Sequence, residues 1–87
     1  MAKIERPLRV CCKQGLHARP AAMFVQIANK YNAQVSVRKG AEEVNGKSIM
    51  GILMLGADHN AEIVLTVEGP DAEVALLELE AFIVKEN

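Results

Sequence analysis

Between Pro7 and Lys13 apolar and polar residues alternate, with Leu8, Val10 and Cys12 on one side and Pro7, Arg9, Cys11 and Lys13 on the other. That period predicts a strand with one buried face, and Pro7, which lacks an N–H, places it at a sheet edge. From Ala18 to about Lys30 the period lengthens. Ala21, Phe24, Val25 and Ala28 recur at helical spacing, and Asn32 is suited to a left-handed C-cap just beyond. Val35 and Val37 then alternate with Ser36 and Arg38, and Lys39-Gly40-Ala41-Glu42 supplies a turn into a short strand around Glu43-Val44, a hairpin. Ser48 is placed to cap a second helix running to about Leu55 and stopped by Gly56. After the polar loop Ala57-Asp58-His59-Asn60, in which His59 reads as solvated and without chemical role, Ile63, Leu65 and Val67 mark the last strand. Pro70-Asp71 opens a final helix with an inward stripe of Ala75, Leu76, Leu79, Phe82 and Ile83; Glu73, Glu78 and Glu80 form its solvated side. The predicted order βαββαβα fits an α+β fold in which helices cover one face of a four-stranded antiparallel sheet.

The segment Ile49-Met50-Gly51-Ile52-Leu53-Met54-Leu55 is apolar all round. So short a helix in a small domain cannot bury every face, which predicts an exposed patch, with Ile49 and Leu53 one turn apart and Met50 beside them. Eighty-seven residues predict a single domain spanning 1–87 with a modest core. A hydrophobic fraction of 51% argues for a folded chain, and a net charge of -1 gives no reason to expect nucleic acid or an anionic membrane as partner. The N-terminus lacks an apolar signal region, and no run approaches the roughly 18 apolar residues of a membrane span, so a cytoplasmic location is expected. Cys11 and Cys12 are adjacent, a spacing that suits neither a disulfide framework nor a CxxC site; they read as strand thiols, one facing in and one out. No metal cluster or cofactor motif is visible.

The chemistry concentrates in Gly15-Leu16-His17-Ala18-Arg19-Pro20-Ala21. Gly15 allows a sharp turn, and Pro20 fits only in the first turn of a helix, where its missing N–H is not required. The helix therefore starts near His17. An imidazole there lies beside unpaired N–H groups and the positive end of the helix dipole, which disfavour imidazolium and leave a nucleophilic ring nitrogen. A phosphoryl group accepted by that nitrogen would be bound by the same N–H groups and by the fork of Arg19. The terminus contributes about 0.3 to 1 kcal/mol to an exposed anion. An Arg about 4 Å away gives roughly 4 kcal/mol at an effective dielectric of 20, before desolvation and salt reduce it, so Arg19 should matter more. The plain alternative makes His17 a polar cap and Arg19 a solvated charge.

This seven-residue stretch resembles the active-site signature of the HPr family, the small histidine phosphocarriers of the bacterial phosphotransferase system. The resemblance extends through Asn45-Gly46-Lys47-Ser48-Ile49-Met50-Gly51 and Glu68-Gly69-Pro70-Asp71; Gln14 departs from it, where many members have Ser or Thr. It implies an open-faced β-sandwich, phosphorylation of His17 on Nδ1 assisted by Arg19, and Ser48 as a regulatory phosphosite. It further implies a monomeric relay rather than a self-sufficient enzyme, one that accepts from phosphorylated enzyme I and donates to IIA-type domains in sugar uptake. The patch of Ile49, Met50 and Leu53 would dock these partners, and an HPr kinase/phosphorylase and a transcription regulator would be further ones. A regulatory binding module of the nitrogen-related branch is the alternative.

Overall fold

A computed structural model describes residues 2–11, 13 and 15–85. The elements are β1 (Ala2–Arg9), α1 (Ala18–Ala28), β2 (Gln34–Lys39), β3 (Glu42–Asn45), α2 (Ile49–Leu55), β4 (Glu62–Gly69) and α3 (Ala72–Ile83). The strands pair antiparallel in the order β1-β4-β2-β3, so β1 is an edge strand, where the missing N–H of Pro7 is tolerated. Leu8 stands opposite Ile63, and Val35 and Val37 stand opposite Val67 and Leu65. All six are buried on the face that receives Phe24 of α1, Ile52 and Leu55 of α2, and Leu76, Leu79 and Ile83 of α3. Ser36, Arg38, Val64 and Thr66, at the alternate positions of β2 and β4, remain at least partly accessible. The open-faced arrangement of four antiparallel strands and three helices is thus the one expected.

Several local readings change. β1 begins at Ala2 and ends at Arg9, earlier than the alternation suggested. The alternation is interrupted because the inner position between Ile4 and Leu8 is taken by Arg6, which stands opposite Leu65; the Arg6 guanidinium donates to Glu80 Oε1 at 2.8 Å. Val10 is buried beyond the strand, its N–H donating to the Ala61 carbonyl and its carbonyl accepting from the Asn60 N–H. Cys11 is half-buried; Cys12, and with it the one-in, one-out reading, lies outside the described residues, as does Gln14.

Glu80 is therefore not simply on a solvated side, and neither is Glu78. Its carboxylate accepts from Lys30 Nζ at 2.6 Å and from the Tyr31 hydroxyl, tying α3 to the end of α1. Asn32 is not a left-handed cap. The helix ends at Asn29 in a right-handed conformation, with the Asn29 amide donating to the Val25 carbonyl. Lys47 Nζ donates to the Tyr31 carbonyl just beyond.

The N–H groups of Asn32 and Ala33 instead donate to the two oxygens of Asp71, each at 2.8 Å. These bonds, that from Asn32 first, hold the Asp71 carboxyl below its ordinary value of 3.8. The bond from Lys30, then that from Tyr31, holds Glu78 below 4.5. Both groups bind protons less readily folded than unfolded. Their stabilisation is complete above these ordinary values and is lost as pH falls through and below them. Asp71→Asn should lower Tm at neutral pH and flatten the acid limb of a Tm-against-pH curve. Parallel acid limbs for wild type and variant would show that the clamp contributes nothing.

Candidate functional site

Gly15 makes the corner possible. Its φ is +70°, and a Cβ there would lie 2.7 Å from both the Ala57 carbonyl oxygen and the Asp58 Cα, so the position needs glycine for its conformation and for the close approach alike. The next residue locks the approach: the Leu16 N–H donates to the Ala57 carbonyl at 2.7 Å, and both residues are buried. The turn before α1 and the loop after α2 are thus bound to each other, although about forty residues separate them in sequence.

His17 leaves this junction as the N-cap of α1, in extended conformation, its carbonyl accepting from the Ala21 N–H. Its side chain makes no capping bond. The polar-cap reading therefore fails, and the ring is turned elsewhere: Nε2 lies 2.9 Å from Asp58 Oδ1, with both side chains more than half exposed. Pro20 is buried in the first turn, where no N–H is needed, while Ala18 and Arg19 are exposed. That turn holds no acidic residue to offset the positive end of the helix. Among the described residues Arg19, exposed two positions after His17 in the first turn, belongs to no ion pair.

Ser48 is placed differently. It is the N-cap of α2, and its Oγ accepts from the Gly51 N–H at 3.1 Å. Lys47, just before it, lies against Asn29 at the far end of α1. The 11 residues of α1 span about 16 Å, so His17 and Ser48 sit at opposite ends of that helix. From Ser48 the chain runs back along α2 to Gly56, a left-handed C-cap whose carbonyl accepts from Lys39 Nζ at 3.0 Å, and on to Ala57 and Asp58. Ile52 and Leu55 point into the core. Met54 (73% exposed), Met50 (63%), Ile49 (41%) and Leu53 (37%) do not. The expected patch residues Ile49, Met50 and Leu53 are all on the surface, and Met54, not singled out from the sequence, is the most exposed. Leu53 and Met54 lie at the end of α2 that leads to the His17 corner.

Asp58 is the residue that sequence reasoning missed. Its only visible sign was an acid in a short polar loop, with no spacing to connect it to His17. Among the described residues no group of three or more His, Cys, Asp or Glu could hold a metal, and no helix is long and apolar enough to cross a membrane.

The fold is a βαββαβα open-faced sandwich with an exposed histidine at the start of its first helix, and the chain belongs to the HPr family of small phosphocarriers. Residues 4–85 match the family described as the PTS HPr component phosphorylation site. The chain is 43% identical to the HPr-like protein Crh of Halalkalibacterium halodurans over 83 residues, 95% of this chain and 99% of that one. The crystal structure of a phosphocarrier protein HPr from Bacillus anthracis superposes with a TM-score of 0.92 at 44% identity, covering 95% of this chain and 99% of that one. Crh of Bacillus subtilis, crystallised as a domain-swapped dimer, gives a TM-score of 0.75 at 44% identity over 82% of each chain.

Proposed function

We propose that this chain carries phosphoryl groups between enzyme I and IIA-type domains of a phosphoenolpyruvate-dependent sugar uptake system, with His17 as the acceptor. The carrying observation is the His17 ring itself: exposed, free of any capping duty, at the start of a helix whose first turn holds no acid, and two positions before Arg19. The Nδ1 lone pair forms a bond to phosphorus as the bond from phosphorus to the donor breaks, the electron pair leaving with the donor. The helix terminus and Arg19 offset the charge of the arriving dianion. Transfer to a IIA-type domain reverses these events. Incubation with enzyme I and phosphoenolpyruvate should add the mass of one phosphoryl group, and a IIA-type domain should remove it. No mass gain would refute the proposal.

The exposed side chains of α2 form the docking centre in this account. A relay must release its partners quickly, so a small interface, at or below about 1,200 Å² in total, dominated by a few apolar anchors is expected. Leu53→Glu should weaken enzyme I binding at least about tenfold, by placing a charge where apolar contact is made, with little change in Tm. Unchanged affinity would remove Leu53 from the interface.

The identity to Crh chains, as high as that to HPr, favours a regulatory output as the second reading, in which phosphorylation of Ser48 selects a transcription regulator or a nitrogen-related partner. A phosphate on Ser48 would carry about -1.5 to -2 charges at the start of α2, which that terminus tolerates. Its position at the other end of α1 from His17 means that it would act through the docking surface and not on the ring. Enzymatic phosphorylation of Ser48 should slow His17 phosphorylation without lowering Tm, and Ser48→Asp should do so more weakly. An unchanged rate in the phosphorylated protein would contradict the switch.

A further inference from the structure

We infer that Asp58 is a positioning residue for phosphoryl transfer: its carboxylate accepts the Nε2–H of His17, keeps the lone pair on Nδ1, and balances the ring charge that phosphorylation creates. The inference rests on the phosphocarrier reading above. A neutral imidazole has one N–H and one lone pair, and a carboxylate only accepts. With Nε2 at 2.9 Å from Asp58 Oδ1, the hydrogen belongs on Nε2 and the nucleophilic pair on Nδ1. The exposed carboxylate stands on a fixed base. The Asp58 carbonyl accepts from the Ala61 N–H at 3.0 Å, the neighbouring Ala57 carbonyl accepts from Leu16, and the Asp58 Cα fills the space that Gly15 leaves by lacking a Cβ. The same junction that orients the His17 backbone thus orients its ring partner.

The proton balance is simple. When Nδ1 gives its pair to phosphorus, the ring carries substituents on both nitrogens and becomes cationic, with the hydrogen still on Nε2 and still donated to Asp58. When the group moves on, the N–P bond breaks and its electron pair returns to Nδ1. The hydrogen stays on Nε2 throughout, so Asp58 neither takes nor gives a proton. It holds the ring at one angle and offsets a charge that exists only while the phosphoryl group is arriving, bound or leaving.

Full-length chains with ¹⁵N-labelled histidine test this in two ways: the ring nitrogen shifts of His17, and the single-turnover rate of transfer from phosphorylated enzyme I. Wild type should show a protonated Nε2 and a bare Nδ1. Asp58→Ala should mix the two forms and slow transfer about two- to fivefold, the size expected for an exposed pair, with an unchanged Tm. Asp58→Asn, whose side-chain carbonyl can still accept from Nε2 but brings no charge, should restore the ring signature and only part of the rate. Identical ring shifts and rates in wild type and Asp58→Ala, or faster transfer in Asp58→Ala, would overturn the role of Asp58 while leaving the carrier reading intact. A wild-type chain that accepts no phosphoryl group from enzyme I would overturn both.

Discussion

His17→Ala should accept no phosphoryl group from enzyme I, a loss of at least about three orders of magnitude, as expected when a nucleophile is removed. The cause should be chemical. The His17 side chain is more than half exposed, makes no capping bond and pairs with the likewise exposed Asp58, so its removal should move Tm by no more than a few degrees. Wild type should acquire a phosphate that is labile in acid and stable in base, unlike phosphoserine. His59→Ala, altered in the loop that carries Asp58, should still be labelled, and label retained by His17→Ala would refute the assignment.

Gly15→Ala should be the most damaging conservative change in the corner. Left-handed backbone costs a non-glycine residue about 1 to 2 kcal/mol. Here the added methyl would also lie 2.7 Å from backbone atoms of Ala57 and Asp58, and backbone cannot swing aside as a flexible side chain can. A combined loss of about 2 to 4 kcal/mol, or a fall in Tm of more than about 10 °C, is expected. Gly40→Ala is the matching control. Its φ is +60° but a Cβ there meets nothing within 4 Å, so it should show the conformational cost alone. The excess loss in Gly15→Ala reports the packing of the two loops, and the surviving folded protein should transfer slowly because His17 and Asp58 are held by that packing. Equal Tm values for the two variants would mean that the close approach is not a constraint.

What could be read from the chain follows how local each signal is. Period 2 in Val35-Val37 and Ile63-Leu65-Val67, helical spacing in Ala21-Phe24-Ala28, the Ser48 cap and the Gly56 stop depend on neighbours within a turn or two, and each is where the pattern placed it. β1 was misplaced because the inner position between Ile4 and Leu8 is filled by Arg6, paired with Glu80 74 residues away, and a charged residue there hides the period of the strand. Asn32 looked like a cap because its residue type favours left-handed backbone; the tertiary bonds that the Asn32 and Ala33 N–H groups donate to Asp71 decided otherwise. The site divides in the same way. His17 and Arg19 were legible from Gly15, Pro20 and the onset of helical spacing, which are all local. Asp58 was not, since it reaches His17 only through the Leu16–Ala57 contact between distant loops. Met54 was passed over because in an all-apolar helix the sequence alone does not say which sides the core will take.

The atom that bears the phosphate is the centre of the account. Phosphorylating the ¹⁵N-histidine-labelled chain with enzyme I and phosphoenolpyruvate, and recording phosphorus-to-nitrogen coupling, identifies that atom directly. Coupling to Nδ1 of His17, with Nε2 still protonated, is the predicted result; coupling to Nε2 of His17, to a nitrogen of His59, or to no nitrogen at all would contradict it.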